Sequence, residues 1–463
     1  MNASDAEGPN GPNGPNGPNG PNGPNGRDGR DAGRADAGAP SRPTPPSARA
    51  TGAGRPRPDA RLRRARAAVV ILFFANAIAY ANVVPRLPEI RDALSLSNTA
   101  LGSAIATMPV GALLAGLSAG VLGALIGSGR LATLCAVGFG VVVPLIGLAD
   151  RWWMLAGCLF LLGVLDAVMD AAMNAHGLRV QRGYGRSILN SFHGVWSVGA
   201  VTGGVLGTLA AGLGLTLRVH TAAVGVLLAV LAVVAWPLLL PGADDADRPA
   251  ARDAERPAAG GAAAAAAGAR AGLRAALPAL LLLGLVLVMT SVVEDTPASW
   301  GSALLQDDYA VPAAVAGLAY VAFQAAMTIG RFTGDRVTDV YGPVRVARWG
   351  GLLIAVPVGL ALLTELAPAV ILAFGLAGLG AATLFPAAMH AAGSIPGVRS
   401  GDGIAVVSWL ARVGFLAAPP LVGFVGDRVG LRVGTAIVVL AGLLIFLLAR
   451  VLAPAERHPH VRP

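Results

Sequence analysis

The sequence predicts an all-α membrane protein of twelve transmembrane helices, arranged as two six-helix bundles related by a pseudo-twofold axis. Three observations predict it. Apolar runs near 20 residues recur from Ala67 to about Val451, the length a helix needs to cross a hydrocarbon core. The runs are continuous, not alternating, and inside a bilayer only helices or closed barrels satisfy their backbone polar groups. The chain is 54% hydrophobic and only 13% charged, with a mean hydropathy of +0.63, where a soluble protein would be about a quarter charged.

Taken in order, residues 1–66 hold six copies of "GPN" and then a Pro/Gly/Ala/Arg mixture. The period is collagen-like, but the tract is short and its third position is always asparagine, so a disordered basic tail is expected. No secretory leader is expected, because the first apolar run follows "RLRRAR" (61–66). That basic cluster should hold the N-terminus in the cytoplasm. Six spans follow at 67–85, 98–119, 131–149, 152–176, 189–212 and 219–240, making an N-terminal bundle over 67–240. A cytoplasmic linker at 241–276 opens with "PGADDADRPAARDAERP" and then turns alanine-rich. The second bundle, 277–452, takes spans at 277–298, 311–332, 346–366, 368–391, 403–425 and 433–451, and a short cytoplasmic tail occupies 453–463.

An even number of spans puts both termini on one side, and the arginines say which. Loops after even-numbered spans carry Arg130, Arg179, Arg182, Arg186, the linker arginines, Arg331, Arg336, Arg345, Arg348 and Arg399. Those after odd-numbered spans carry Arg86, Arg91, Arg151, Arg218, Arg428 and Arg432. The bias places both termini in the cytoplasm and the chain in the inner (plasma) membrane. The net charge of +9 is carried entirely by arginine, without lysine. Its location in the tail and loops suits anionic lipid, and no basic stripe interleaved with aromatics suggests nucleic acid. Cys135 and Cys158 lie inside apolar runs and read as small buried residues, so neither a disulfide, a metal nor a cofactor is expected.

The two halves repeat. A shift of 215 residues superimposes Gly102 on Gly317, Gly127 on Gly342, Arg130 on Arg345 and Gly199 on Gly414. At 216, "AAMNAHG" (171–177) falls on "AAMHAAG" (387–393). Parallel six-span repeats imply bundles related by an axis along the membrane normal.

Two six-helix halves, a central linker and this repeat resemble the major facilitator superfamily of secondary transporters, over about residues 67–452. The family's loop after span two, G-x-x-x-D-R-x-G-R-R, is eroded here to "GVLGALIGSGR" (120–130): Gly120, Gly127 and Arg130 remain, and Ala124 stands where the acid would be. After span eight, "GRFTGDRVTDVYGPVR" (330–345) keeps Asp339, Gly342 and Arg345 in register, with Asp335 and Arg336 close by. The resemblance implies that these residues form a cytoplasmic gate between halves. The stretches "RLPEIRDALSLSNTALG" (86–102), "DAAMNAHG" (170–177), "SFHGVWSVG" (191–199), "GPVRV" (342–346) and "PPLVG" (419–423) are similar to a bacterial branch related to fucose-type sugar permeases. That branch usually has an acid before the tryptophan ending span seven; here Ser299 precedes Trp300. The Gly-Pro pair of exporters is absent from span five, where "GAVTGG" (199–204) has glycines only.

Polar residues inside spans mark the candidate site. Asp166, Asp170 and Asn174 are spaced i, i+4, i+8 and cover only about 80° of a helix face. A charge at mid-bilayer costs roughly 2.5–3.5 kcal/mol, so such a stripe should face the bundle interior or water. It either handles substrate or protons, or serves as helix–helix glue. The resemblance favours the former, since the family's fourth span lines the central cavity. His176 points roughly to the opposite side, to headgroups or loop. Arg412 in span eleven lies about 13 Å from the inner interface; it either neutralises Asp166 or Asp170, binds a substrate carboxylate, or snorkels. Glu294 and Asp295 sit in the outer third of span seven, where Pro297 is expected to break the helix; they serve either coupling or a wet vestibule. Carboxyl groups away from bulk water can exchange protons near neutral pH. His193, Gln324 and His390 are single polar groups in spans five, eight and ten, with His390 matching Asn174 under the repeat, and each is either functional or a packing partner. Pro419 and Pro420 should kink span eleven.

The expected function is therefore secondary active transport of a small polar solute, a sugar or small organic acid, coupled to protons and working by alternating access as a monomer. The alternatives are an efflux pump for amphipathic compounds, a membrane-embedded enzyme, which would need an acidic or metal-binding cluster in a long loop, and a transport-dead sensor.

Overall fold

The computed structural model describes residues 59–116, 118–185, 187–242 and 262–453. Twelve helical spans are long and apolar enough to cross a membrane: Ala60–Ala93, Asn98–Gly116, Ser128–Leu148, Trp152–Tyr184, Leu189–Gly212 and Leu217–Leu238 in the first half, then Gly272–Asp307, Ala313–Tyr341, Pro343–Leu362, Ala367–Gly393, Gly401–Val429 and Leu431–Leu452 in the second. They are called spans 1 to 12 below. The face carrying the start of span 1 and the end of span 12 is the near face; the other is the far face.

Two boundaries differ from expectation. The helix of span 1 starts at Ala60, inside the expected tail, because Asp59 caps it by accepting a 2.7 Å bond from the Leu62 N–H. The helix of span 7 starts at Ala262, inside the expected linker, since a run of alanines propagates a helix readily. The rest of both tails and residues 243–261 lie outside the described residues.

The two halves are built alike. In the first, span 2 packs on span 4, span 3 on spans 4 and 6, and span 1 on span 5; in the second, span 8 packs on span 10, span 9 on spans 10 and 12, and span 7 on span 11. Each pair is the other shifted by six spans. Between halves the seams are span 2 with span 11 and span 5 with span 8, which exchange under the same operation. The repeat reaches single contacts. Gly163 of span 4 lies on the backbone carbonyl of Met108 in span 2, and Gly378 of span 10 on that of Phe323 in span 8. Both second-half residues stand 215 positions after their counterparts. No side chain fits at either place, so closely do the helices approach. The repeat-related Gly127 and Gly342 both take positive φ, +88° and +78°, at the junctions of spans 2 with 3 and 8 with 9, a conformation that costs other residues more.

The core is alanine, leucine, valine and phenylalanine, with large apolar residues such as Leu125, Val340 and Leu363 turned outward. In water such a surface would be a liability; facing acyl chains it is ordinary. Cys135 and Cys158 are buried and unpaired by disulfide.

Candidate functional site

Span 4 carries its polar stripe toward the space between halves. Asp166 is half-buried and accepts a 2.9 Å bond from Asn76 Nδ2 of span 1, whose Oδ1 accepts the Trp196 indole N–H of span 5 at 2.8 Å. One acid thus ties three helices of the first half. Asp170, a turn nearer the near face, is exposed, and Asn174 Nδ2 donates to its carboxylate at 3.0 Å and to its backbone carbonyl at 2.9 Å. Asp170 lies within electrostatic reach of His193 on span 5 and Arg412 on span 11, without a direct ion pair among the described residues. The Arg412 guanidinium reaches toward Gly116 of span 2, Nη1 standing 4.0 Å from where a Cβ would be. Asp170 and Arg412 therefore face each other from opposite halves.

The second half contributes Glu294, whose carboxylate meets Arg331 of span 8 at 3.8 Å. Arg331 in turn lies within electrostatic reach of His193. Asp295 accepts from Ser299 Oγ at 3.1 Å and lies near Tyr80 of span 1, which also neighbours Tyr320 of span 8. Tyr80, Trp196 and Tyr320 share an apolar seam with Ala77, Ala81 and Ala200, where the halves meet above the charged groups.

Three expected site residues are placed elsewhere. Trp300 is fully buried against Gly423 of span 11, near the far face. Gln324 is buried in span 8 with an amide nitrogen that makes no hydrogen bond, and His390 is exposed at the near-face end of span 10. Pro297 does not break span 7. Its helix runs through to Asp307, because proline removes a single backbone bond and the packing of Trp300 holds the next turn. Span 11 likewise continues through Pro419 and Pro420 from Ser400 to Val429. His176 meets loop, not headgroups: it is 1% exposed, with Ser128 Oγ at 3.4 Å and the Leu240 N–H donating to Nε2 at 3.4 Å.

On the near face the residues expected to form a gate do not meet one another across the halves among the described residues. Gly120, Arg130, Asp335, Arg336, Asp339 and Arg345 are exposed, and among the described residues no hydrogen bond or ion pair joins these charged groups across the halves. The far face is closed. Arg91 pairs with Asp307 of span 7 through two bonds of 2.5 and 3.0 Å and also donates to Asn98 Oδ1 at 3.0 Å. Asp427 of span 11 accepts the N–H groups of Asn98 and Thr99 at 2.9 and 2.8 Å and the Thr99 hydroxyl at 2.6 Å. One half thus caps the first turn of a helix in the other. Below this, Gly102 packs on the Pro419 carbonyl with no room for a side chain.

The sequence alone does not mark Asn76, Trp196 and Arg331 as site residues. Asn76 is a lone amide in an apolar run and Trp196 lies in the quoted "SFHGVWSVG", so a polarity scan of span 1 would have found the first. Arg331 counts as a loop arginine until the fold shows span 8 continuing to Tyr341.

Twelve spans in two like halves, joined by two exchangeable seams and enclosing opposed charges, define a membrane transporter. The chain belongs to the Major Facilitator Superfamily, whose model matches residues 69–294 and again 283–463. It is 28% identical to an uncharacterised transporter of Sinorhizobium fredii, over 82% of this chain and 96% of the relative. It is 27% identical both to an uncharacterised MFS-type transporter of Yersinia pestis (82% and 94%) and to the membrane protein MosC of Rhizobium meliloti (82% and 88%). Among solved structures, a bacterial homologue of the lysosomal transporter Spinster, inward-facing and unoccupied, superimposes with a TM-score of 0.67 at 16% identity, covering 86% of this chain and all 100% of that one. The nucleoside transporter NupG gives 0.64 at 12% identity, covering 84% and 98%. At these identities the structures establish the fold alone. With the family established as one of transporters, the membrane-embedded enzyme is set aside.

Proposed function

We propose that the chain is a proton-coupled secondary transporter of a small polar solute, a sugar or small organic acid, in the bacterial inner membrane, with the near face cytoplasmic and working as a monomer. The observation that carries this reading is Asp170, exposed between the halves and opposed by His193 from its own half and Arg412 from the other. A carboxyl group so placed can take up a proton when the cavity faces one side and release it when the cavity faces the other. Arg412 then balances the charge left behind. Closing the near face would bring Asp170 and Arg412 closer together, and opening the far face would separate Arg91 from Asp307. The mixed charges between the halves suit a polar solute better than an amphipathic one.

The cytoplasmic assignment of the near face rests on the arginine bias. Several far-face arginines are held by the fold: Arg86 is buried, donating to the Leu215 carbonyl at 2.7 Å, and Arg432 donates to the Asp308 carbonyl at 3.1 Å. Such bonds account for arginines on the far side as well.

The test is uptake into proteoliposomes under an imposed pH gradient, with sugars, sugar acids, small carboxylates and nucleosides (the cargo named for NupG) as the panel. Wild type should accumulate at least one polar solute with the gradient, and Asp170→Asn should lose gradient-driven accumulation. Equal transport by wild type, Asp170→Asn and Arg412→Gln would remove the site assignment. Accumulation of amphipathic dyes alone would favour the efflux reading.

A further inference from the structure

A cavity lies away from the central site, at the near-face end of the first half. It measures 930 Å³ and is bounded by the start of span 1, the junction of spans 2 and 3, the end of span 4 and residues 236–242. Five cationic or titratable basic residues line it, Arg61, Arg64, Arg130, His176 and Arg179, and no carboxylate does among the described residues.

These side chains divide by task. Arg179 donates to the backbone carbonyls of Pro241 and Gly242 at 2.8 and 3.0 Å, and His176 accepts from the Leu240 N–H. Together they fix one wall. Arg61, Arg64 and Arg130 are exposed, and among the described residues none is paired with a carboxylate. Apolar side chains line it as well: Leu125 is 74% exposed, Ile126 39% and Trp236 47%. The cavity lies at the near-face ends of spans 1 and 4, where spanning helices would leave the hydrocarbon, so its apolar side chains would meet acyl chains and its guanidinium groups headgroups.

We propose that this cavity binds the headgroup of an anionic phospholipid, its phosphate held by Arg61, Arg64 and Arg130 and its first acyl carbons lying on Leu125, Ile126 and Trp236. Guanidinium groups match phosphate oxygens in geometry as well as charge, and basic pockets between helices at this level favour anionic headgroups. The proposal also accounts for the eroded gate loop. Ala124, standing where an acid is expected, and Arg130 line the same cavity. An acid at 124 would neutralise Arg130 and repel a phosphate; alanine leaves the arginine for the lipid. A headgroup seated there would hold the span 2–3 junction to the start of span 1. The competing occupant is the acidic stretch that follows Gly242, with Asp244, Asp245 and Asp247, which matches the charge but not the apolar side chains.

The experiment is native mass spectrometry of the full-length protein titrated with phosphatidylglycerol or phosphatidylcholine of identical acyl chains. Wild type should bind the first phosphatidylglycerol at least 10-fold more tightly than phosphatidylcholine. Arg61→Ala/Arg64→Ala/Arg130→Ala should lose that preference, while the corresponding lysine variant keeps part of it; the lysine variant also serves as the reading should the alanine variant not fold. Millimolar inorganic phosphate should not displace the lipid; displacement would mean a free anion site and overturn the proposal. Equal binding of both lipids by wild type also overturns it. A preference that emerges only in Asp244→Asn/Asp245→Asn/Asp247→Asn would assign the cavity to the chain's own acids instead.

Discussion

Removing the carboxylate of Asp427 should loosen the far face. The side chain accepts three bonds at the start of span 2, two of them from backbone N–H groups that have no partner within their own helix. Losing a helix cap costs about 0.5–2 kcal/mol, and charge near a helix N-terminus adds about 0.3–1 kcal/mol at exposed sites. Asp427 is exposed, so Asp427→Ala should cost the closed far face about 1–2 kcal/mol, a factor of roughly 5–30 in the conformational equilibrium. Because the contact crosses between halves, the loss falls on the closed state and not on either bundle. The assay is a distance measurement between spin labels at Ala93→Cys and Val429→Cys, both exposed on the far face, in a background lacking Cys135 and Cys158. A far-open population of about 1% would rise to roughly 5–25%. A distribution that overlays wild type, in a protein that still responds to Arg91→Ala, would refute the reasoning.

Gly102→Val should also open the far face, because a side chain there meets the Pro419 backbone across the seam; the same labels report it. Gly163→Val, within one half, should instead lower the melting temperature by an overpacking cost of about 1–3 kcal/mol, leaving the distances unchanged. Arg331→Gln should destabilise the protein more than Arg331→Gln/Glu294→Gln does, since the single change strands a poorly solvated carboxylate; a double-mutant cycle in thermal unfolding, with a coupling of about 1 kcal/mol expected, checks it. Asn76→Leu removes the link between Asp166 and Trp196, and should raise KM for the transported solute with less effect on protein yield.

Most of the fold is readable in the chain because a bilayer allows few solutions. Hydrophobic length alone places twelve spans, and the 215-residue offset found in glycines extends to Gly163 with Met108 and Gly378 with Phe323, where helices touch at backbone distance. The stripe Asp166, Asp170, Asn174 is readable for the same reason, since its cost makes it conspicuous. What escapes is pairing. Nothing local says that Asp166 is spoken for by Asn76, leaving Asp170 as the exposed member, or that Arg331 turns back to Glu294. Pro297 misleads because local propensity is overridden by the buried Trp300 one turn later. The cap of Asp427 on span 2 joins residues 329 positions apart and becomes visible only in three dimensions.

The two seams, equivalent by symmetry, are furnished differently. Where span 2 meets span 11, Asp427 seals the contact through directed bonds that either form or break. Where span 5 meets span 8, the far-face contact is made of small surfaces, Gly212 on Ala314, Gly317 on Thr208 and Gly204 on Tyr320. Such surfaces can roll over one another while staying in touch. In the proposed transport cycle the molecule would work as a door hung on one side and bolted on the other: the far face would swing about the glycine seam, and the carboxylate would decide when it is released.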